Sequence, residues 1–123
     1  SPDALHALRS MGHGDEVALV DANYPAEEHA RRLVRADGHG MIAVLEAILT
    51  LLPLDRAVPN AVFRAALNND PAQLGPIHSQ IDATCARLAK LRANRITPIQ
   101  ASCCSQSRSC AVSSCPETPI CSI

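Results

Sequence analysis

The chain has 123 residues, of which 47% are hydrophobic, 19% charged and 2% aromatic, with a formal net charge of -1. That length allows one core rather than two, and the composition is that of a globular chain, not a disordered one. The near-neutral balance offers nucleic acid or another polyanion nothing to hold, and no apolar run is long enough to span a bilayer, so neither partner is expected.

In chain order, Ser1-Pro2-Asp3 reads as a helix start. It supplies a capping hydroxyl, a proline for the first turn and an acid near the positive end. Leu5 and Leu8 give this helix a short apolar face, and Gly12 is its natural stop. "EVALVDA" is a valine-rich run between turn residues. It predicts a buried strand from about Glu16 to Val20, with Asp21 at its C-terminal end. "NYPAEEHARR" predicts a loop or a short helix after Pro25. "LVRAD" is a second strand candidate, closed by Gly38.

Met41, Ile42, Leu45, Ile48, Leu49 and Leu52 recur at helical spacing, and Pro53 ends the run. Apolar residues nearly encircle that helix, so burial between layers is expected. "NAVFRAAL" is a third strand candidate, ended by "NNDP". Ile77, Ile81, Leu88 and Leu91 define a second amphipathic helix with Cys85 on the same face. After about Asn94 the periodicity dissolves into Ser, Cys, Pro and Thr. Strands alternating with helices predict an α/β fold: a single three-layer domain over residues 1–123, with a mixed, partly parallel sheet flanked by helices.

Five of the six cysteines (Cys103, Cys104, Cys110, Cys115, Cys121) follow residue 102, and only Cys85 precedes it. A secreted disulfide scaffold would spread them through the fold. The body therefore reads as intracellular, and a cytoplasmic location is expected. "SPDALHALRS" lacks the basic-then-apolar layout of a signal peptide. The tail has no CxxC pair and no histidine pair has zinc spacing, so no metal site is expected. Dinucleotide, Walker and nucleophile-elbow motifs are all missing, and no cofactor is expected.

His13 stands between two glycines, which free the backbone and let a ligand come close. An imidazole there can give and take a proton near neutral pH, or it can cap a helix end. Asp21 has two readings as well. Ligands of α/β sheets bind at the C-terminal ends of strands, where a carboxylate can accept bonds from sugar hydroxyls; equally, an aspartate there caps the "NYP" turn. Arg35 and Asp37 pair with each other or meet a ligand. Tyr24 stacks on a sugar face or plugs a subunit contact. His6, His29 and His78 read as surface or helix-face residues.

Together, "SPDALHALRSMGHGDEVALVDANYPA" and "RADGHGMIAVLEAILTLLPLD" resemble the L-fucose mutarotase family, sisters of the D-ribose pyranases. The resemblance runs from Ser1 to about Asp55 and more loosely to about Lys90. "MGHGDE", "DANYP" and "RADG" point to the fucose branch. It implies a small α/β protomer in a ring-like homo-oligomeric decamer that interconverts the α and β anomers of a free monosaccharide without cofactor or metal. His13 matches the family's catalytic histidine and Asp21 its sugar-binding aspartate.

Arg95, in "RANRI", is the match for a family arginine that touches the sugar, but the "FAFY" that should follow is missing. By spacing, the family's late Tyr and Asn fall on Cys121 and Ile123, which cannot replace a phenol or an amide. Those late groups come across a subunit boundary in the family. The resemblance further implies residues before Ser1, two late strands through the tail, with "CAVSS" as one of them and Ala111 and Ser113 sharing a face, and a last strand beyond Ile123. Two alternatives stand beside fucose mutarotation: pyranase activity on D-ribose, and a sugar-binding ring without catalysis.

Overall fold

The computed structural model describes residues 1–89, 96–99, 110–114 and 121–122. Helix α1 (Pro2–Ser10) begins where expected: the Ser1 hydroxyl accepts the Ala4 N–H at 3.3 Å, and Pro2 occupies the first turn. It closes when the Met11 N–H meets the Leu8 carbonyl. Strand β1 (Val17–Asp21) follows, one residue later than the sequence suggests, with Glu16 left outside. All four residues Val17 to Val20 are buried, as a strand covered on both faces requires. Val17 and Leu19 join the larger core, while Ala18 and Val20 join a smaller one with Ala26.

Helix α2 (Ala26–His29) is the short helix expected after Pro25, and β2 (Leu33–Arg35) ends before the turn at Gly38, whose φ of +80° suits glycine. Helix α3 (Met41–Leu51) buries Met41, Leu45, Ile48 and Leu49 against β1 and α4 (Pro76–Leu88). The burial expected between layers is found toward β1 and α4 and is incomplete on its far side. Leu51 is 56% exposed, and with Leu5 of α1, 55% exposed, it borders an apolar groove of about 350 Å³ between the two helices.

Strand β3 (Val62–Ala65) fills the third strand position, and a 3₁₀ turn at Leu67–Asn69 follows it. On α4, Ile81 and Cys85 are buried as the spacing predicts; Leu91 lies outside the described residues. An ion pair between Glu46 and Arg87 ties α3 to α4. Of the two readings of His78, the surface one fails and the helix-face one stands, on the buried face of α4, where it is only 1% exposed. Its Nδ1 accepts the Gly75 N–H at 2.8 Å, so the ring caps the start of α4 from inside.

The described residues of the tail region form three strands: β4 (Ile96–Ile99), β5 (Cys110–Ser114) and β6 (Cys121–Ser122). "CAVSS" is thus a strand, as the resemblance implies. β4 was hidden in the sequence by Pro98. The sheet order β2-β5-β1-β6-β3-β4 puts β4 at an edge, where a strand tolerates proline. β5 runs parallel to both β1 and β2, pairing Ala111 with Ala18 and with Leu33. β6 runs antiparallel to β1 and β3, and β4 parallel to β3. The result is one mixed, partly parallel sheet. Among the described residues, helices α1, α3 and α4 cover one face, and the other carries the short α2 and the small core around it.

Candidate active site

Residues 12 to 15 form a closed turn. The Gly12 N–H donates to Asp15 Oδ2 at 2.7 Å, and the Asp15 N–H donates to the Gly12 carbonyl at 3.2 Å. Gly14 completes it at φ +86°, a left-handed conformation costly for any residue with a Cβ. His13 projects from this turn with its side chain 79% exposed. Its Nδ1 stands 3.2 Å from Oδ2 of Asp55. The other oxygen of Asp55 accepts the Ala57 N–H at 2.7 Å, which fixes the carboxylate in the loop between α3 and β3. The pair opens on a cleft of about 970 Å³ that Arg9, Asp15, Asn60 and Phe63 also line. Sequence reading did not single out Asp55. It is remote from His13 along the chain, and the only local signal is a carboxylate just past the Pro53 stop of α3.

Asp21 ends β1. Its Oδ1 accepts the N–H groups of Asn23 and Tyr24 at 2.9 and 3.0 Å, the turn-capping geometry. The Tyr24 hydroxyl lies 3.0 Å from His29 Nδ1, the two rings meeting edge to face at 5.5 Å between centroids. Arg35 pairs with Asp37 through two bonds, Nε to Oδ2 at 2.8 Å and Nη2 to Oδ1 at 3.0 Å. Those bonds hold Asp37 below the usual carboxylate range and raise Arg35 above its ordinary value. The guanidinium is thus already engaged. Arg95 lies outside the described residues.

Because β1, β5 and β2 are parallel, Asp21 and Arg35 stand at the same end of their strands. His13 precedes β1 and sits at the opposite end. Four steps of strand separate Val17 from Asp21, about 13 Å at ~3.3 Å per residue. Asp21 and Tyr24 are accordingly not among the residues lining the cleft at His13; Asp55 is. Away from this site, Cys85 is inert, since burial pushes its thiol up to about 11. Among the described residues no three His, Cys, Asp or Glu side chains converge as a metal site would need.

A mixed, partly parallel sheet with helices, and an imidazole on a glycine-bounded turn beside a carboxylate from the α3–β3 loop, define a small α/β protein with a polar pair at an open cleft. The chain belongs to the RbsD / FucU transport protein family, which it matches over residues 1–112. It is 39% identical over 99 residues to the fucose mutarotase of Homo sapiens; the match takes in 76% of this chain and 64% of the human protein, so the chain spans a little under two-thirds of that relative. Among solved structures it resembles FucU from Bifidobacterium longum, with a TM-score of 0.87 at 26% identity, covering 100% of this chain and 91% of that one. It also resembles the fucose mutarotase of Streptococcus pneumoniae in complex with L-fucose, with a TM-score of 0.81 at 29% identity, covering 100% and 90% respectively.

Proposed function

We propose that this protein is a monosaccharide mutarotase, interconverting the α and β anomers of L-fucose or a closely related sugar by acid–base ring opening. The observation that carries the reading is the His13–Asp55 pair, its imidazole on a hydrogen-bonded turn, facing an open cleft. Asp55 engages Nδ1 of His13, which leaves Nε2 as the atom that exchanges protons with the sugar. The base takes the proton of the anomeric hydroxyl while an acid protonates the ring oxygen. The ring opens to an aldehyde, and reclosure on the other face inverts the anomer. Proton transfer of this kind contributes about 10² to 10⁴ in rate; holding the sugar in place contributes the rest.

Asp21, Tyr24, Arg35 and Arg95 are the proposed sugar contacts. The length of β1 between His13 and Asp21 supports a site assembled from two protomers, in which the Asp21 end of one subunit faces the His13 end of another. A cytoplasmic homo-oligomer, of decamer size by family likeness, is part of this reading. The exposed Leu5 and Leu51 support burial of further surface on assembly. Among the described residues no helix is long and apolar enough to cross a membrane.

Anomer-exchange NMR on L-fucose and D-ribose tests the proposal. Faster exchange on fucose supports mutarotation of that sugar, faster exchange on ribose alone supports the pyranase alternative, and sugar binding without faster exchange supports a non-catalytic ring.

A further inference from the structure

Of the five histidines only His78 is buried. It stands at the third position of α4, where the Gly75 N–H donates to its Nδ1 at 2.8 Å. The fit is close: a Cβ at Gly75 would stand 3.3 Å from Nδ1 and 3.6 Å from Leu67 Cδ2. Accepting that bond takes the Nδ1 lone pair, so the fastened ring is neutral with its proton on Nε2. A proton on Nδ1 turns the acceptor into a donor facing a donor. It also puts a cation at the positive end of a helix and beside the buried Arg64 guanidinium of β3. The bond holds a particular segment. Residues 66–75 run from β3 to α4 through the 3₁₀ turn, where Asn68 and Asn69 take φ of +50° and +61°, uncommon for residues with a Cβ. Asp70 accepts the Ala72 N–H on Oδ1 and Gln73 Nε2 on Oδ2, each at 3.0 Å, and Asn68 Nδ2 donates to Gln73 Oε1 at 3.1 Å. Those bonds close the loop on itself, and the Gly75 bond fastens its end to the buried ring. β1 and β3 both run antiparallel to β6, so the loop leaves the sheet at the end that carries Asp21 and Arg35.

We propose that His78 is a pH-operated latch on the 66–75 loop: the neutral ring fastens the loop to α4, and protonation of Nδ1 releases it together with the first turn of the helix. The charged groups that face the ring are Arg64 of β3 and its ion-pair partner Asp82 of α4. Burial and Arg64 disfavour the charged ring, and they outweigh Asp82 and the Ala65 carbonyl, which favour it. Cys85, buried on the same helix, stays a neutral thiol near neutral pH, and Glu46 of α3 is engaged by Arg87. The released loop takes up a proton that the fastened loop resists. Release therefore grows as the pH falls below 6.5 toward the lower value of the fastened ring. One proton limits that growth to about tenfold in released population per pH unit.

Backbone amide hydrogen exchange at pH 7.5 and pH 5.5, corrected for the intrinsic pH dependence of exchange, tests the latch. That window lies above the ordinary carboxylate range, which leaves imidazoles as the groups that titrate. Protection of the amides from Gln73 to Ser79 should fall by about three- to tenfold at pH 5.5 relative to those of β1. His78→Gln places a side-chain carbonyl at the third helical position, which accepts the same N–H and takes no proton. Its loop should be equally protected at both pH values. In the wild type, the ring nitrogen shifts of His78 should titrate with the same midpoint as the loop amides, a measurement that needs no variant. Loop protection that does not change with pH, that falls equally in His78→Gln, or that follows a midpoint different from the His78 ring would overturn the latch.

Discussion

Asp55 Oδ2 stands 3.2 Å from His13 Nδ1, and Asp55 is itself held by the Ala57 N–H on its other oxygen. The imidazole thus has a fixed carboxylate beside it while its ring is mostly exposed. Asp55→Asn should lower kcat by at least about tenfold with little change in KM, because it disturbs the tautomer and orientation of His13 rather than sugar binding. Steady-state anomer exchange measures the split. A pure KM effect would mean that Asp55 binds sugar instead.

Gly14→Ala forces a Cβ into a φ of +86°. The expected cost is about 1 kcal/mol of stability, with a larger proportional loss of activity, because the turn that carries His13 must relax. Urea midpoints and exchange rates on the same samples check this. Unchanged activity would show that the Gly12–Asp15 turn does not set the imidazole.

The proposed assembly of the site from two subunits predicts complementation. His13→Ala and Asp21→Asn homo-oligomers should each be nearly inactive. Co-refolded mixtures should regain activity, since some interfaces then pair an intact His13 with an intact Asp21. Mixtures no more active than the separate variants would place both groups in one protomer's site.

A second polar cluster lies under α4. Arg64 of β3, buried, pairs through Nε with Asp82 Oδ1 at 3.2 Å, while its Nη1 is buried with no hydrogen-bond partner among the described residues, and His78 lies beside it. Burial, then the charge of Arg64, lowers the His78 pKa below its ordinary 6.5. The unfolded chain therefore takes up a proton that the folded chain resists. Stability is fully present above pH 6.5 and falls as the pH drops below it toward the folded pKa, with a slope of at most about 1.4 kcal/mol per pH unit from this group. Urea denaturation at pH 7.5 and pH 5 should show the fall, and His78→Gln should reduce it. An equal fall in the variant would contradict the assignment.

In the same cluster, Asp82→Ala strips a buried guanidinium of its counter-charge. It should cost up to about 3 kcal/mol, reduced by the partial exposure of Asp82. The double change Arg64→Met with Asp82→Leu should cost far less, since it removes both charges. Thermal or urea unfolding of the two variants distinguishes them.

Much of this fold is legible in the residues. The Ser1 cap, the valine run of β1, the periodicity of α3 and the Pro53 stop are local signals, and local physics decides them. β4 was obscured because Pro98 argues against a strand unless its edge position is known. The burial of His78 is not legible in the sequence, because its partner is the Gly75 backbone and its neighbour Arg64 comes from another element. The same limit hid Asp55 and the Tyr24–His29 contact: side chains from different elements meet only once the sheet order exists. Arg35 and Asp37 show the opposite case, since two residues on one short stretch could be paired from sequence alone.

The most direct test of the central claim is the exchange rate between the α and β anomers of L-fucose, read by saturation-transfer NMR at neutral pH with and without the protein. The account predicts clear acceleration by the wild type and a return to the uncatalysed rate for a folded His13→Ala variant. Acceleration that survives in His13→Ala, or a wild type that accelerates nothing, would contradict it.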